Sequence, residues 1–194
     1  MTILSLQAKQ DFLEKDASTR DPIKAIAEFV WNALDADATE VRVTLEKNDL
    51  GGITAIRIED NGHGISPERA DHDFGNLGAS HKRTESRTQS LERAVHGKEG
   101  RGRLKFFSLA RRAKWTSVAA VDGRRVALSL TIQANNLEKC DRSDTSETDA
   151  PTGTAVELAP LKDTLDVLDG TDAFRQFSTI FAPYILQYPG VRII

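Results

Sequence analysis

The stretch from residue 21 to residue 60 constrains the fold most, because it joins an amphipathic helix to alternating strands. Asp21 followed by Pro22 is a typical helix start, with an aspartate cap and proline at the first helical position. Apolar residues then recur at three- and four-residue spacing, which predicts a helix with one buried face that ends near Asp35. The apolar positions are Ile23, Ile26, Ala27, Val30 and Leu34.

Alternating apolar and polar residues predict strands in several places. The runs at 41–46 and 56–60 flank a turn, so we expect them to pair as a hairpin. Asp-Gly at 122–123 is a strong hairpin signal between two longer alternating runs. A further strand is expected at 154–158, and the apolar run at 191–194 is also typical of a strand.

Helical spacing recurs in the remainder of the chain. We expect a short helix near 67–71, a helix from about Arg103, and a helix over 172–186. The polar and charged segment 134–150 reads as a loop. Helices interspersed with hairpin-linked strands indicate an α+β fold: a two-layer sandwich of a largely antiparallel mixed sheet covered on one face by helices.

Composition sets the broad class of protein. The 194 residues suit a single domain, 1–194, and the strand-like end suggests the amino-terminal part of a larger protein. A net charge of −3 gives no general support for a nucleic-acid or membrane binder, and no apolar run approaches a membrane span. The single Cys140 suits a reducing compartment, so we expect a cytoplasmic protein.

A polar stripe lies opposite the apolar face of the first helix. Glu28, Asn32 and Asp35 share this side, and the aromatic residues Phe29 and Trp31 flank it. A solvated helix face would explain the three polar residues alone. The neighbouring aromatic residues favour a site, since a surface stripe would more often be flanked by polar side chains.

The chemistry of these side chains suits hydrolysis of a phosphoanhydride. Glu28 can act as the base that orients and deprotonates a water molecule. Asn32 can supply one oxygen to Mg²⁺, which otherwise takes waters and phosphate oxygens. The pair therefore predicts a site for ATP and Mg²⁺.

A glycine-rich turn follows the second strand, with the sequence Asp-Asn-Gly-His-Gly at 60–64. The carboxylate of Asp60 can accept a hydrogen bond from the exocyclic amine of adenine, a base-selective contact that guanine cannot offer. Gly62 and Gly64 allow a sharp turn close to a planar ring, and the Thr154 hydroxyl could join the adenine contact. An ordinary Asn-Gly turn explains the motif equally well in isolation.

A second glycine motif spans 97–102, ahead of the helix predicted from Arg103. Its free backbone N–H groups and the helix dipole would favour phosphate, and Lys98, Arg101 and Arg103 add positive charge. The spacing matches neither a Walker loop nor a dinucleotide-binding turn. A flexible linker is the alternative.

The polar stretch before this motif suits a lid that closes over a nucleotide, at approximately 75–100. Lys82 or Lys98 could then reach the terminal phosphate. A plain surface loop explains 83–93 as well.

Taken in order, these motifs resemble the GHKL superfamily of gyrase B, Hsp90, sensor histidine kinases and MutL, and are most similar to MutL-, MORC- and Hsp90-like bacterial ATPases. Glu28 to Ala36 resembles the first motif, 60–64 the second, 97–102 the third and 153–154 the fourth. The resemblance covers about 21–158 and implies the Bergerat ATP-binding fold.

Carried over position by position, the resemblance implies that Glu28 is the catalytic base, Asn32 the Mg²⁺ ligand and Asp60 the adenine contact. The other expected nucleotide-binding residues are Asp35, Gly62, Gly64, Ile65, Gly78, Ala79, Ser80, Lys82, Lys98, Gly100, Arg101, Gly102, Arg103, Leu104 and Thr154.

One departure is Asp37, which stands where MutL-like proteins usually carry glycine. We do not assign mismatch repair, because the third motif is more charged than the MutL form. The expected function is an ATPase, weak in isolation, that drives conformational change or homodimerisation together with a downstream domain. The alternatives are a nucleotide-gated interaction module with little hydrolysis, a histidine-kinase-type catalytic domain and a chaperone. DNA is a possible but unsupported partner.

Overall fold

A computed structural model describes residues 9–75, 87–96, 100 and 102–194. Its α-helices are α1 (Gln10–Ala17), α2 (Pro22–Asp35), α3 (Pro67–Gly75) and α4 (Thr171–Gln187), with 3₁₀ helices at Gly102–Ser108 and Asp166–Leu168. Its strands are β1 (Glu40–Lys47), β2 (Ile53–Asp60), β3 (Arg112–Val121), β4 (Arg124–Gln133), β5 (Asn136–Arg142), β6 (Ser146–Glu147), β7 (Gly153–Leu158) and β8 (Arg192–Ile193).

The strands form one mixed sheet in the order β5-β4-β3-β7-β2-β1-β8, and β6 pairs with β4. The β1–β2 and β3–β4 hairpins are antiparallel, as the sequence predicts. Strand β7 lies between β2 and β3 and pairs antiparallel with both, whereas β8 runs parallel to β1. The predicted α+β fold, with its largely antiparallel mixed sheet, is confirmed.

Helix α2 begins and ends where the sequence predicts. The Asp21 carboxylate caps it by accepting hydrogen bonds from the N–H groups of Ile23 and Lys24, at 3.0 and 3.2 Å. Val30 and Leu34 are buried against the sheet, and each contributes about 1.5–3 kcal/mol through burial of its side chain.

The two faces of the sheet differ in composition. The face toward the helices is apolar and buried, and includes Ile56, Ile58, Trp115, Leu130, Val156 and Leu158. On the other face, Arg57 pairs with Glu59 and Arg112 pairs with Glu157, each at 3.0 Å. This alternation fixes the register, since a slip of one residue would bury the charged side chains.

The expectation of a loop over 134–150 is wrong, because β5 and β6 lie within it. Strand β5 lies at the end of the sheet and buries one apolar side chain, Leu137, so most of its residues are polar. The helix expected from Arg103 is a 3₁₀ helix of 7 residues, Gly102–Ser108, with a weaker dipole than a full α-helix.

Helix α1 is polar and its sequence carries little helical pattern, so only the structure shows it. Tertiary contacts hold it: the Gln10 side chain donates to the Ala134 carbonyl at 3.0 Å and accepts from the Leu137 N–H at 2.6 Å. Helix α4 matches the prediction for 172–186 closely. No helix in the described part of the chain is long and apolar enough to cross a membrane.

Candidate nucleotide-binding site

A cavity of about 450 Å³ lies between α2, α3, the sheet and the 3₁₀ helix Gly102–Ser108. This volume is in the usual range for a small-molecule site. The side chains and backbone around it are a mixture of apolar, acidic and basic groups. Its described lining is Asp16, Glu28, Phe29, Asn32, Ala33, Asp35, Ala36, Ile58, Asp60, His63, Gly64, Ile65, Arg69, Asp73, Phe74, His96, Gly100, Gly102, Arg103, Lys105, Trp115, Thr154 and Val156.

The polar stripe of α2 forms one wall of this cavity. Glu28, Asn32 and Asp35 all line it, one turn of helix apart. Phe29 is buried beside the same cavity, whereas Trp31 packs away from it against α4, with its ring centroid 4.6 Å from that of Phe181. The stripe is therefore a cavity wall.

The 3₁₀ helix begins against Glu28. A Cβ atom on Gly102 would lie 2.5 Å from the Glu28 Oε2 atom, too close for any side chain unless the carboxylate moves. A side chain at this position would therefore displace the Glu28 carboxylate from the start of the 3₁₀ helix.

Asp60, at the end of β2, lines the cavity near the carboxyl end of α2. Its Oδ1 atom accepts hydrogen bonds from the N–H groups of Gly62 at 2.8 Å and Thr154 at 3.3 Å. Burial raises the pKa of the Asp60 carboxyl to about 6, while these two hydrogen bonds act in the opposite direction. Among the described residues Oδ2 has no hydrogen-bond donor, which leaves it to a ligand.

Ser117 of β3 holds the neighbouring backbone in place. Its buried hydroxyl accepts from the Ile65 N–H at 2.8 Å and lies 2.9 Å from the Thr154 hydroxyl. The pairing of Ser117 with Thr154 and of Thr154 with Asp60 across adjacent strands sets this arrangement. The Ser117 hydroxyl thereby joins the turn after β2 to β3 and β7.

Gly64 allows that turn to lie on β3. Its φ of 73° is in the left-handed region that favours glycine, and a Cβ atom would collide with the carbonyl of Val118. Glycine at this position therefore lets the turn lie against β3, and its approach to a planar ring stays a prediction.

Positive charge gathers beside α3 and the 3₁₀ helix. The Arg103 guanidinium lies over the Phe74 ring, 5.0 Å from its centroid. Burial lowers the pKa of Arg103, and the negative charge of Asp73 acts in the opposite direction. Lys105 also lines the cavity, where its ammonium donates to the Asp16 carbonyl at 2.6 Å and ties α1 to this wall.

His63 and Arg69 complete the wall near α3. The Nδ1 atom of His63 lies 2.7 Å from the Gly64 carbonyl oxygen, which can only accept, so Nδ1 carries a proton. The Nε2 atom lies 3.4 Å from Nη1 of Arg69 and can accept from it. The guanidinium thus helps to orient the imidazole ring.

The structure brings most of the predicted site residues together. Glu28, Asn32, Asp35, Asp60, Gly64, Ile65, Gly100, Gly102, Arg103 and Thr154 line the cavity. Gly62 lies outside the cavity lining and donates its N–H to the Asp60 carboxylate. The Leu104 side chain packs in the apolar core rather than in the cavity. Gly78, Ala79, Ser80, Lys82, Lys98 and Arg101 lie outside the described residues, as does most of the proposed lid.

Comparison with known protein families identifies the family to which the chain belongs. A sequence model described as Histidine kinase-, DNA gyrase B-, and HSP90-like ATPase matches residues 20–159. The chain belongs to this family. The matched stretch contains α2, the turn after β2 and the pairing of β7 with β2, so the family's match and the cavity involve the same elements.

Relatives of this chain include the DNA mismatch repair proteins MutL. The protein from Aquifex aeolicus is 28% identical over 140 residues, which cover 72% of this chain and 30% of the relative. The protein from Xanthomonas campestris pv. campestris is 53% identical over 47 residues, 24% of this chain and 7% of the relative. The chain therefore spans less than a third of the length of these relatives.

A solved structure of the Aquifex aeolicus MutL ATPase domain complexed with ADP is similar to this chain. The superposition covers 91% of this chain and 59% of that chain. The TM-score is 0.48 and the sequence identity is 21%.

Sequence reasoning missed several residues of the cavity wall and one residue, Ser117, that supports the wall without lining it. Ser117 reads as an ordinary inward-facing strand residue, and its role depends on strand pairing. Arg69 and Asp73 are four residues apart on α3 and therefore share a face of the helix. This spacing is the sequence feature from which both could have been predicted. His96 carries no signal of its own.

Proposed function

We propose that this domain binds ATP together with Mg²⁺ and hydrolyses it. The observation that carries the proposal is that Glu28, Asn32 and Asp60, from two separate motifs, line one cavity. These three side chains supply the base, the metal ligand and the acceptor for adenine that such a reaction needs. Membership of an ATPase family agrees with this assignment.

Asp60 supports adenine as the base. Its Oδ1 atom is occupied by two backbone N–H groups, so Oδ2 is the atom that faces a ligand. An ionised Oδ2 accepts a hydrogen bond from an exocyclic amine. Guanine and hypoxanthine present a carbonyl oxygen at that position, which would repel a carboxylate.

Asn32 fits a magnesium site. Its amide lies between Glu28 and Asp35 on the same helix face, beside a cavity with room for phosphates and waters. A neutral amide oxygen next to carboxylates is the hard-oxygen environment that Mg²⁺ prefers. When bound, the ion would neutralise negative charge on the phosphate oxygens.

Glu28 is positioned as the general base. Its carboxylate lies in the middle of α2, against Gly102 at the start of the 3₁₀ helix and one turn before Asn32. In the proposed reaction it accepts a proton from a water molecule as that oxygen attacks the terminal phosphorus. The phosphoanhydride bond breaks, and ADP leaves with the bonding electrons.

Replacing Asn32 with alanine should remove the magnesium dependence of ATP binding. In the wild-type protein, we expect Mg²⁺ to raise the affinity for ATP by about tenfold, an effect lost with its only side-chain ligand on α2. Titration calorimetry with Mg²⁺ and with EDTA measures this. Asn135→Ala, in an exposed turn, is the matched control. An unchanged magnesium effect in Asn32→Ala would refute the metal assignment.

We further propose that the nucleotide cycle drives conformational change or dimerisation of a larger protein. Support comes from the MutL relatives, of which this domain matches less than a third. Light scattering with and without a non-hydrolysable ATP analogue tests the dimer. We expect the mass to double when the analogue is bound. An unchanged mass would refute dimerisation and favour a conformational change within a single copy of the protein.

A further inference from the structure

A buried charge lies outside the cavity, at the end of α2. The Arg93 side chain is only 4% exposed, and its Nη2 atom donates to the carbonyls of Leu34 at 3.3 Å and Ala38 at 2.8 Å. These carbonyls lie at the carboxyl end of the helix, where a cation is favoured by the helix dipole. Burial of a guanidinium still requires a negative partner nearby.

Asp37 supplies that partner. Its side chain is 7% exposed, and Oδ1 lies 3.7 Å from Nη2 of Arg93. Its Oδ2 atom accepts a hydrogen bond from the Ser90 N–H at 2.8 Å. The φ of Asp37 is 62°, a conformation that favours glycine, so the carboxylate is present despite a backbone cost.

The segment that carries Arg93 is attached to the helices at two further points. The Ala94 N–H donates to the Tyr188 hydroxyl at 3.1 Å, and the His96 N–H donates to Oδ1 of Asp35 at 2.9 Å. The His96 ring stacks on Trp31 with centroids 3.8 Å apart. Asp35 and His96 both line the cavity, so this attachment continues directly into its wall.

Gly102 is the next described point at which the chain meets α2, where it lies against Glu28. Glu28 precedes Asp35 by seven residues, about 10 Å along the helix axis. Asn32 lies between the two attachment points. His96 and Gly102 therefore meet α2 on either side of Asn32, whereas the Asp60 carboxylate is held by the N–H groups of Gly62 and Thr154.

We propose that Asp37 and Arg93 are a positioning pair for the phosphate half of the cavity. The pair fixes residues 87–96 against α2, so that the wall beside Asp35 and Asn32 is formed before the nucleotide arrives. The base half is expected to be preserved without the pair, because the Asp60 carboxylate accepts from Gly62 and Thr154. This inference rests on the proposed binding of ATP, whose phosphates lie beside Asn32 and whose adenine meets Asp60.

The test compares binding of MgATP and of adenosine to Asp37→Gly, Arg93→Met and the double variant. Each single substitution should lower ATP affinity by about ten- to a hundredfold, because the phosphate-binding wall is displaced. Adenosine affinity should stay within about twofold of wild type, which also shows that each variant is folded. The double variant should lose no more ATP affinity than either single variant, because both act through one contact.

Matched controls are available in an exposed turn and an exposed ion pair. Asp122→Gly makes the same change at a φ of 50°, and Arg124→Met breaks the exposed pair with Glu147. Both should bind ATP as wild type does. Equal losses of ATP and adenosine affinity in Asp37→Gly and Arg93→Met, or no loss of either, would overturn the positioning role alone. A wild-type protein that fails to bind ATP would overturn the proposed function and this inference together.

Discussion

Glu28→Gln should reduce ATP turnover by a factor of about 10²–10⁴ and leave ATP affinity within a few fold of wild type. Glutamine keeps the shape of the side chain next to Gly102 but cannot accept a proton from water. The loss is therefore expected in the rate constant of hydrolysis rather than in binding. Phosphate release in a single-turnover experiment, together with titration calorimetry, separates the two quantities.

Glu46→Gln is the matched control for this experiment. Glu46 is exposed on β1 and lies outside the cavity lining, so turnover should be unchanged. Wild-type turnover in Glu28→Gln would show that another group activates the water. If neither wild type nor variant turns over ATP that both bind, the domain is a nucleotide-gated binding module instead.

Asp60→Asn should lower the affinity for adenosine by about tenfold to a hundredfold. The two backbone N–H groups of Gly62 and Thr154 require an acceptor, so the amide oxygen takes the place of Oδ1. The amide NH₂ group then faces the cavity and opposes the amine of adenine, donor against donor. Inosine carries a carbonyl oxygen at that position, so its affinity should rise relative to that of adenosine.

The raised pKa of Asp60 makes the same preference depend on pH in the wild-type protein. Below pH 6 the carboxyl is protonated, and the proton resides on Oδ2 because Oδ1 accepts from two N–H groups. Oδ2 is then a donor, which suits inosine. Above pH 6 it is an acceptor, which suits adenosine, so the ratio of adenosine to inosine affinity should rise from pH 5 to pH 7.

Both nucleosides lack phosphate, and the ratio of their affinities cancels any titration that affects the two equally. Asp122→Asn, in the β3–β4 turn, is the matched control and should keep the wild-type ratio and its pH dependence. An Asp60→Asn protein that still prefers adenosine as strongly as wild type would show that Asp60 does not contact the base.

Local chemistry made much of the fold predictable. The bounds of α2 follow from the aspartate cap, the proline and the apolar spacing, all within a few residues of one another. The β3–β4 hairpin follows from its Asp-Gly turn, which holds both flanking strands in register. Each of these features involves residues that are close together along the chain, so the element that it predicts can be recognised from a single sequence.

Long-range contacts explain what the sequence did not reveal. Strand β5 is stabilised by pairing with β4 and has mostly polar residues, which resemble a loop in sequence. Helix α1 is held by hydrogen bonds between the Gln10 side chain and Ala134 and Leu137, which lie more than a hundred residues away along the chain. Neither element carries its own periodic apolar pattern, so neither could be predicted from spacing.

The candidate site divides in the same way. The placement of Glu28, Asn32 and Asp60 around one cavity was predictable, because their motifs are compact and these side-chain types suit one reaction. Ser117 and the Asp37–Arg93 pair were not, since each depends on residues brought together by the fold. Asp37 did stand out as a departure from glycine, and the structure shows the buried arginine that it faces.

The most direct test of the account is a crystal structure of the protein with Mg²⁺ and a non-hydrolysable ATP analogue. We predict the adenine amine within hydrogen-bond distance of Asp60 Oδ2, the metal on the amide oxygen of Asn32, and the terminal phosphate beside Glu28. A nucleotide bound outside this cavity, or bound with its adenine away from Asp60, would contradict the account.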